Sequence, residues 1–233
     1  MSVSVAVFAS GGGSNFQSLV DHAASAGAGA IRLLISDRSG AGALDRARRA
    51  GIPGRVIPVK GRAPEEVARE TLATLRAAEV QVILLAGYLR LIPAEVIRAF
   101  PRRILNIHPA LLPAFGGKGM WGHHVHEAVL ASGATLSGPT IHYVDEDYDT
   151  GSILAQWPVP VLAGDTPEAL AARVLKVEHI LYPLAAQHLC RAVEKGVPAT
   201  RLSPPGQVFQ IARDLDAGSL EDQIAGAFSG AEP

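Results

Sequence analysis

The stretch Val3–Asn15, VSVAVFASGGGSN, decides the architecture. A short apolar run from Val3 to Ala9 passes straight into three glycines, and a segment of helical period follows from Ser14 to Ala26. Strand, glycine turn and helix in that order open a βαβ unit. The alternation repeats downstream. Strands are predicted at Ile31 to Ser36, Arg55 to Val59, Val80 to Ala86 and Arg103 to Ile107, with helices at Ala41 to Ala50, Pro64 to Ala78 and from Pro93. Such alternation predicts an α/β fold: an open, mostly parallel twisted sheet with helices on both faces.

Beyond Ile107 the rhythm changes. Gly116 to Gly122 is a glycine-rich loop, His124 to Ser132 reads as a short helix, and two long strands, Ser137 to Val144 and Ser152 to Val161, follow with only an acidic turn between them. That spacing leaves no room for a crossover helix and predicts a late antiparallel hairpin. A long C-terminal helix fits Pro167 to Lys195, with Thr166 as its cap and Pro167 at the first helical position. Pro183 should kink or split it. From Val197 the composition turns to Pro, Ser, Gly and Asp. The expected organisation is therefore one main domain over residues 1–198 and a weakly ordered tail over 199–233, with Val208 to Ile211 as an edge strand.

Of the 233 residues 48% are apolar, enough for a substantial core, and Lys plus Arg (21) nearly balance Asp plus Glu (22). No basic stripe tracks a nucleic-acid backbone, and no stretch reaches the ~18 apolar residues of a membrane span. The expected partners are small-molecule substrates, with neither nucleic acid nor membrane, for a monomer or homodimer. A lone Cys190 in an apolar helical stretch reads as a buried thiol, and with no signal peptide at the N-terminus it points to a cytoplasmic setting.

In an open parallel sheet the ligand sits at the carboxyl ends of the strands, which directs attention to three loops. After the first strand, Ser10 to Asn15 places glycines before a helix N-terminus, an anion site of phosphate size. Gly11 and Gly13 also fit the first two positions of a dinucleotide loop, with Asp37 where a ribose-binding acid would lie. The third position is Phe16, however, whose ring opposes the close packing a glycine there provides. After the fourth strand, the apolar loop Ala86 to Pro93 can line a slot for a flat heterocycle, with Arg90 in its middle. On the fifth strand Asn106 and His108, two apart, share a face. An amide N–H₂ beside an imidazole suits holding a carbonyl oxygen as it gains charge in acyl transfer.

The stretches SGGGSN, LAGYLRLI, NIHPALLP, HYVDEDYDTG and VEHILYP, in this order, resemble the glycinamide ribonucleotide formyltransferases, a family of folate-dependent formyltransferases, over roughly residues 3–198. The resemblance implies the formyltransferase, Rossmann-like version of the sheet and a catalytic trio of Asn106, His108 and Asp149. It implies an acceptor site at Gly12, Gly13, Ser14, Asn15 and Glu178. A folate site is implied at Leu89, Arg90, Leu91, Ile92 and Asn106, closed by Asp145, Glu146, Asp147, Tyr148 and Asp149. Arg62 is the nearest match to an arginine the family uses near the folate tail. The co-substrate would be 10-formyltetrahydrofolate. No metal is expected: His123, His124 and His126 lack acids at ligand spacing and read instead as part of a mobile lid with Lys118 and Trp121.

The implied reaction moves the formyl group of 10-formyltetrahydrofolate to the amine of phosphoribosylglycinamide in purine biosynthesis, without a covalent enzyme intermediate. Asp149 would raise the pKa of His108 and favour its imidazolium. Rival readings are a formyltransferase acting on another amine, a hydrolase of formyl-folate, and a non-catalytic folate or nucleotide binder. The first two carry a further C-terminal or N-terminal domain, for which the chain is expected to have no room.

Overall fold

The computed structural model describes residues 2–26, 29–202, 222, 224 and 226. Its main sheet contains β1 (Ser4–Phe8), β2 (Ala30–Ser36), β3 (Gly54–Val56), β4 (Val82–Leu85), β5 (Ile104–His108), β7 (Thr140–Tyr143) and β8 (Ile153–Gln156), in the order β3-β2-β1-β4-β5-β7-β8. The first five strands are mutually parallel, while β7 runs antiparallel to β5 and β8 antiparallel to β7. From β1 the order grows one way through β2 and the other way through β4. Loops leaving the ends of β1 and β4 therefore diverge and open a crevice.

Both faces of the sheet are covered, as a parallel sheet requires. Side chains alternate across a strand, and on β1 Val5 and Val7 enter one apolar cluster while Ala6 and Phe8 enter the other. The first cluster takes in α1 (Ser14–Ala26), α2 (Gly42–Arg49), α5 (His123–Ala131) and α6 (Pro167–Lys195), through Phe16, Ala43, Val125 and Leu181 among others. The second packs under α3 (Pro64–Ala77) and α4 (Ala94–Ala99) through Val67, Leu75 and Val96. The fully buried Tyr182 of α6 holds its hydroxyl 3.0 Å from Leu85 O and 3.2 Å from Leu105 O, pinning the helix across the ends of β4 and β5.

Two expectations are corrected. Each long late strand is broken in two: β6 (Leu136–Ser137) precedes β7, and β9 (Val159–Pro160) follows β8. The breaks fall at Gly138-Pro139 and Trp157-Pro158, where a proline has no N–H to give the ladder. A Cβ on Gly138, at φ 137°, would collide with the Trp157 carbonyl. The outer pieces β6 and β9 pair in a separate two-stranded sheet, so the hairpin exists but bends. Of the kink or split expected at Pro183, the split does not occur, and the helix runs over 29 residues. The helix starts on Thr166, whose side chain accepts from Ala169 N, and ends on Gly196 at φ 70°.

Past residue 198, Ala199, Leu202 and Ile224 are buried in the main core, and Leu202 N donates to Leu154 O at 2.8 Å. The edge strand expected at Val208 to Ile211 lies outside the described residues. Among the described residues no helix is long and apolar enough to cross a membrane.

Candidate active site

The crevice at the switch point is a cavity of about 700 Å³. It gathers residues from the loops after β4, β5 and β7 and from α1, α5 and α6. From the expected set it is lined by Asn15, Leu89, Arg90, Leu91, Ile92, Asn106, His108, Asp145, Asp147, Tyr148, Asp149 and Glu178. Three expected groups are not on its wall. Gly12, Gly13 and Ser14 precede Asn15 in the turn into α1, with Gly12 exposed. Glu146 is exposed and 3.5 Å from Arg98. Arg62, in the loop before α3, is turned to that helix and its own loop, donating to Glu70 at 2.7 Å and to Pro58 O at 3.2 Å.

At one end of the cavity the glycine loop is locked against α2. Ala43 N donates to Gly11 O at 3.1 Å, and Arg46 Nε to Gly12 O at 2.8 Å. Gly13 has φ 76°, and a Cβ there would lie 2.7 Å from that of Ala43, so position 13 needs glycine twice over. Asn15 Nδ2 donates to Glu178 Oε2 at 2.6 Å, across from the first turn of α1 to α6. Burial pushes the Glu178 carboxyl upward in pKa, against the pull of that hydrogen bond. Asn15 Oδ1 is buried without a bonding partner among the described residues, an acceptor available to a ligand's donor.

Asn106 and His108 do share a face of β5, and Asp149 comes to them from the β7–β8 turn, where it holds φ 58°. The carboxylate is a hub. Oδ2 lies 3.5 Å from His108 Nδ1 and accepts from Gly117 N at 2.9 Å; Oδ1 lies 3.4 Å from both Asn106 Nδ2 and His142 Nε2. His142, paired opposite Asn106 in the β5–β7 register, is a member the sequence reading missed as a site residue. Its Nδ1 is 2.9 Å from Tyr143 O and must donate there. In the neutral ring Nε2 is then the acceptor for Asn106 Nδ2 at 3.1 Å. His108 Nε2 donates to Phe115 O at 2.8 Å.

Electrostatics correct one more expectation. Burial lowers the His108 pKa and outweighs the opposing Asp149 charge and Phe115 hydrogen bond, with His142 adding to the depression. The resting imidazole is neutral near pH 7, and Asp149 limits the fall instead of producing a rise. Asp149 itself stays low: burial pushes it up, but His142, the His108 charge and Gly117 N–H more than offset that.

The three lid histidines diverge. His123 Nε2 lies 2.9 Å from Glu168, His124 lies 3.3 Å from Glu127 and edge-on to Trp121, and His126 is buried on the cavity wall. Among the described residues no group of three or more His, Cys, Asp or Glu is arranged to hold a metal ion. His126 is held down at a pKa of about 4 by burial and by the nearby His123 and His108.

The family described as formyl transferase matches residues 3–186. A chloroplastic phosphoribosylglycinamide formyltransferase of Vigna unguiculata is 55% identical over 189 residues, covering 80% of this chain and 60% of that protein. A protein of the same name from Arabidopsis thaliana is 51% identical over 201 residues, 83% of this chain and 69% of its own. This chain thus spans about 60–70% of the length of these two relatives. Among solved structures, the phosphoribosylglycinamide formyltransferase of Brucella melitensis superposes with a TM-score of 0.75 at 45% identity, over 82% of this chain and 96% of that one.

Proposed function

The chain belongs to the formyl transferase family, and on that premise we propose that it moves the formyl group of 10-formyltetrahydrofolate to the amine of 5-phosphoribosylglycinamide, a step of de novo purine biosynthesis. The observation that carries this reading is the convergence of Asn106, His108 and Asp149 midway in one cavity. That cavity runs from an apolar slot at Leu89–Ile92 to the α1 N-terminus and Glu178. A flat pterin suits the slot. A phosphate suits the glycine loop and helix dipole at Gly12, Gly13, Ser14 and Asn15, with Glu178 on the ribosyl side.

The acceptor amine attacks the formyl carbon, a C–N bond forms, the bond to the folate nitrogen breaks, and one proton passes from the amine to that nitrogen. The tetrahedral oxygen is negative in between. Asn106 donates its amide N–H to it, and His108 donates Nε2–H after releasing Phe115 O. Asp149, by raising the His108 pKa against burial, favours the imidazolium, the stronger donor to that oxygen. Each of these donors is a protein group, so this path needs no metal. The whole cavity is built within one chain, which a monomer or a homodimer would serve alike. The cytoplasmic setting is part of this reading, and the lone Cys190, a free buried thiol, agrees with a reducing compartment.

Mixing the protein with 10-formyltetrahydrofolate and 5-phosphoribosylglycinamide and following deformylation optically tests this. Loss of formyl-folate should require the acceptor, and Asn106→Ala should lower kcat by about 10²-fold. Acceptor-independent loss would mark a hydrolase, and no loss at all a binding protein.

A further inference from the structure

The loops after β1, β2 and β4 are tied into one unit beside the slot. Ser10 N donates to Gly87 O at 3.0 Å, and Leu89 N donates back to Ser10 Oγ at 3.0 Å. The third anchor is Asp37, just past β2. Its side chain is 1% exposed, its Oδ2 accepts from Arg90 Nε at 2.8 Å, and Arg38 Nε lies 3.6 Å away. A carboxylate this buried persists only when paired. Burial pushes its pKa up, and Ser10, Arg90 and Arg38 together bring it below the ordinary value. The ribose-binding role that position suggests in a dinucleotide loop finds no support, because Asp37 does not line the cavity and its Oδ2 is committed to Arg90.

We propose that Asp37 is a positioning residue for the formyl-donor site, holding Arg90 so that Leu89–Ile92 keeps the shape of a slot for a flat, uncharged bicyclic ring. The bond uses Nε, which fixes the guanidinium from its stem side and leaves its terminal nitrogens outside that bond. The pair is net neutral beside Leu91, an apolar side chain 44% exposed on the cavity wall and ready to cover a ring face. Without Asp37 the loop would carry an unbalanced cation and lose its tie to β2, while the Ser10 bonds and the acceptor end would remain. This inference rests on the reading that the slot takes the folate.

The test is a double-mutant cycle of Asp37→Asn and Arg90→Met, read by calorimetric titration with tetrahydrofolate and by steady-state kinetics. Asp37→Asn should weaken tetrahydrofolate binding and raise the donor KM by about tenfold, the scale of one charge-assisted hydrogen bond. The acceptor KM and kcat should stay within about twofold, and in the Arg90→Met background the Asp37 substitution should change the donor KM little. An equal loss in both backgrounds, or a joint fall of kcat and both affinities, overturns the proposal. If Asp37→Asn does not fold, Arg90→Lys, which keeps the charge but not the Nε geometry, must raise the donor KM alone; an unchanged donor KM overturns the proposal as well. Wild-type protein that fails to bind tetrahydrofolate removes the donor-site reading and this inference together. Equal binding by wild type and Asp37→Asn removes the inference only.

Discussion

His108 shows how a residue's neighbours can be named correctly and its charge still misjudged. Strand parity puts it beside Asn106, and the HYVDEDYDTG motif brings Asp149 to it, but the depth of burial is set by packing that no spacing reveals. Its 3% exposure makes desolvation the largest influence, ahead of the carboxylate 3.5 Å away. His142 was illegible for a related reason, since its place opposite Asn106 depends on the β5–β7 register. The same is true of Asp37, whose partner lies on a loop two strands away in the chain. Asp149→Asn removes the influence that raises the His108 pKa, so that pKa should fall further below its ordinary value. Titration of the His108 ring by NMR checks this. A midpoint that is unmoved, or that rises, would show that the carboxylate charge does not reach the ring.

At the scale of elements, alternation of apolar runs with helical periods was enough to place β1 to β5 and α1 to α4, because a sheet covered on both faces demands continuous apolar strands. The late strands were harder. Gly138-Pro139 and Trp157-Pro158 lie inside otherwise strand-like runs, and only the close approach of Gly138 to the Trp157 carbonyl makes the bend obligatory. The α1 N-terminus offers a test that respects such local geometry. Gly13→Asp would confound charge with strain, since its Cβ would crowd Ala43, whereas a Cβ at Gly12 meets nothing within 4 Å. Gly12→Asp should therefore fold normally, while its carboxylate repels an acceptor phosphate at the helix dipole. Its acceptor KM should rise by about tenfold or more, with tetrahydrofolate affinity within about twofold of wild type. Calorimetry with each ligand separates the outcomes, and loss of folate binding instead would reverse the assignment of the two ends of the cavity.

Across the whole molecule, the fold opposes the ionisation of several buried histidines, and that ties stability to pH. His108, His126, His179 and His188 all titrate below their ordinary value, each chiefly through burial. For such a group the unfolded chain binds a proton that the folded chain refuses, so the stability present above the unfolded pKa of 6.5 is lost as pH falls through the folded pKa. Asp37, Asp149 and Asp165 are depressed as well, and their contribution is lost lower, as pH falls below the unfolded 3.8. Glu178 acts in the opposite sense, since its raised pKa costs stability as pH climbs above 4.5. Between pH 6.5 and about 4 protonation of the histidines costs stability while Glu178 opposes that loss, and the His126 window runs from 6.5 to about 4. It is 4% exposed with Nδ1 unbonded among the described residues, so no hydrogen bond at that nitrogen compensates an imidazolium. The thermal midpoint of wild type should fall steadily on acidification through that window, with up to about 3 kcal/mol traceable to His126. His126→Gln should flatten that slope whatever it does to stability at pH 7, because glutamine binds no proton in either state. Melting curves of both proteins at half-unit pH steps give the comparison. Parallel slopes would mean that His126 is charged as readily inside the fold as outside it, and that the acid sensitivity belongs to the other three rings.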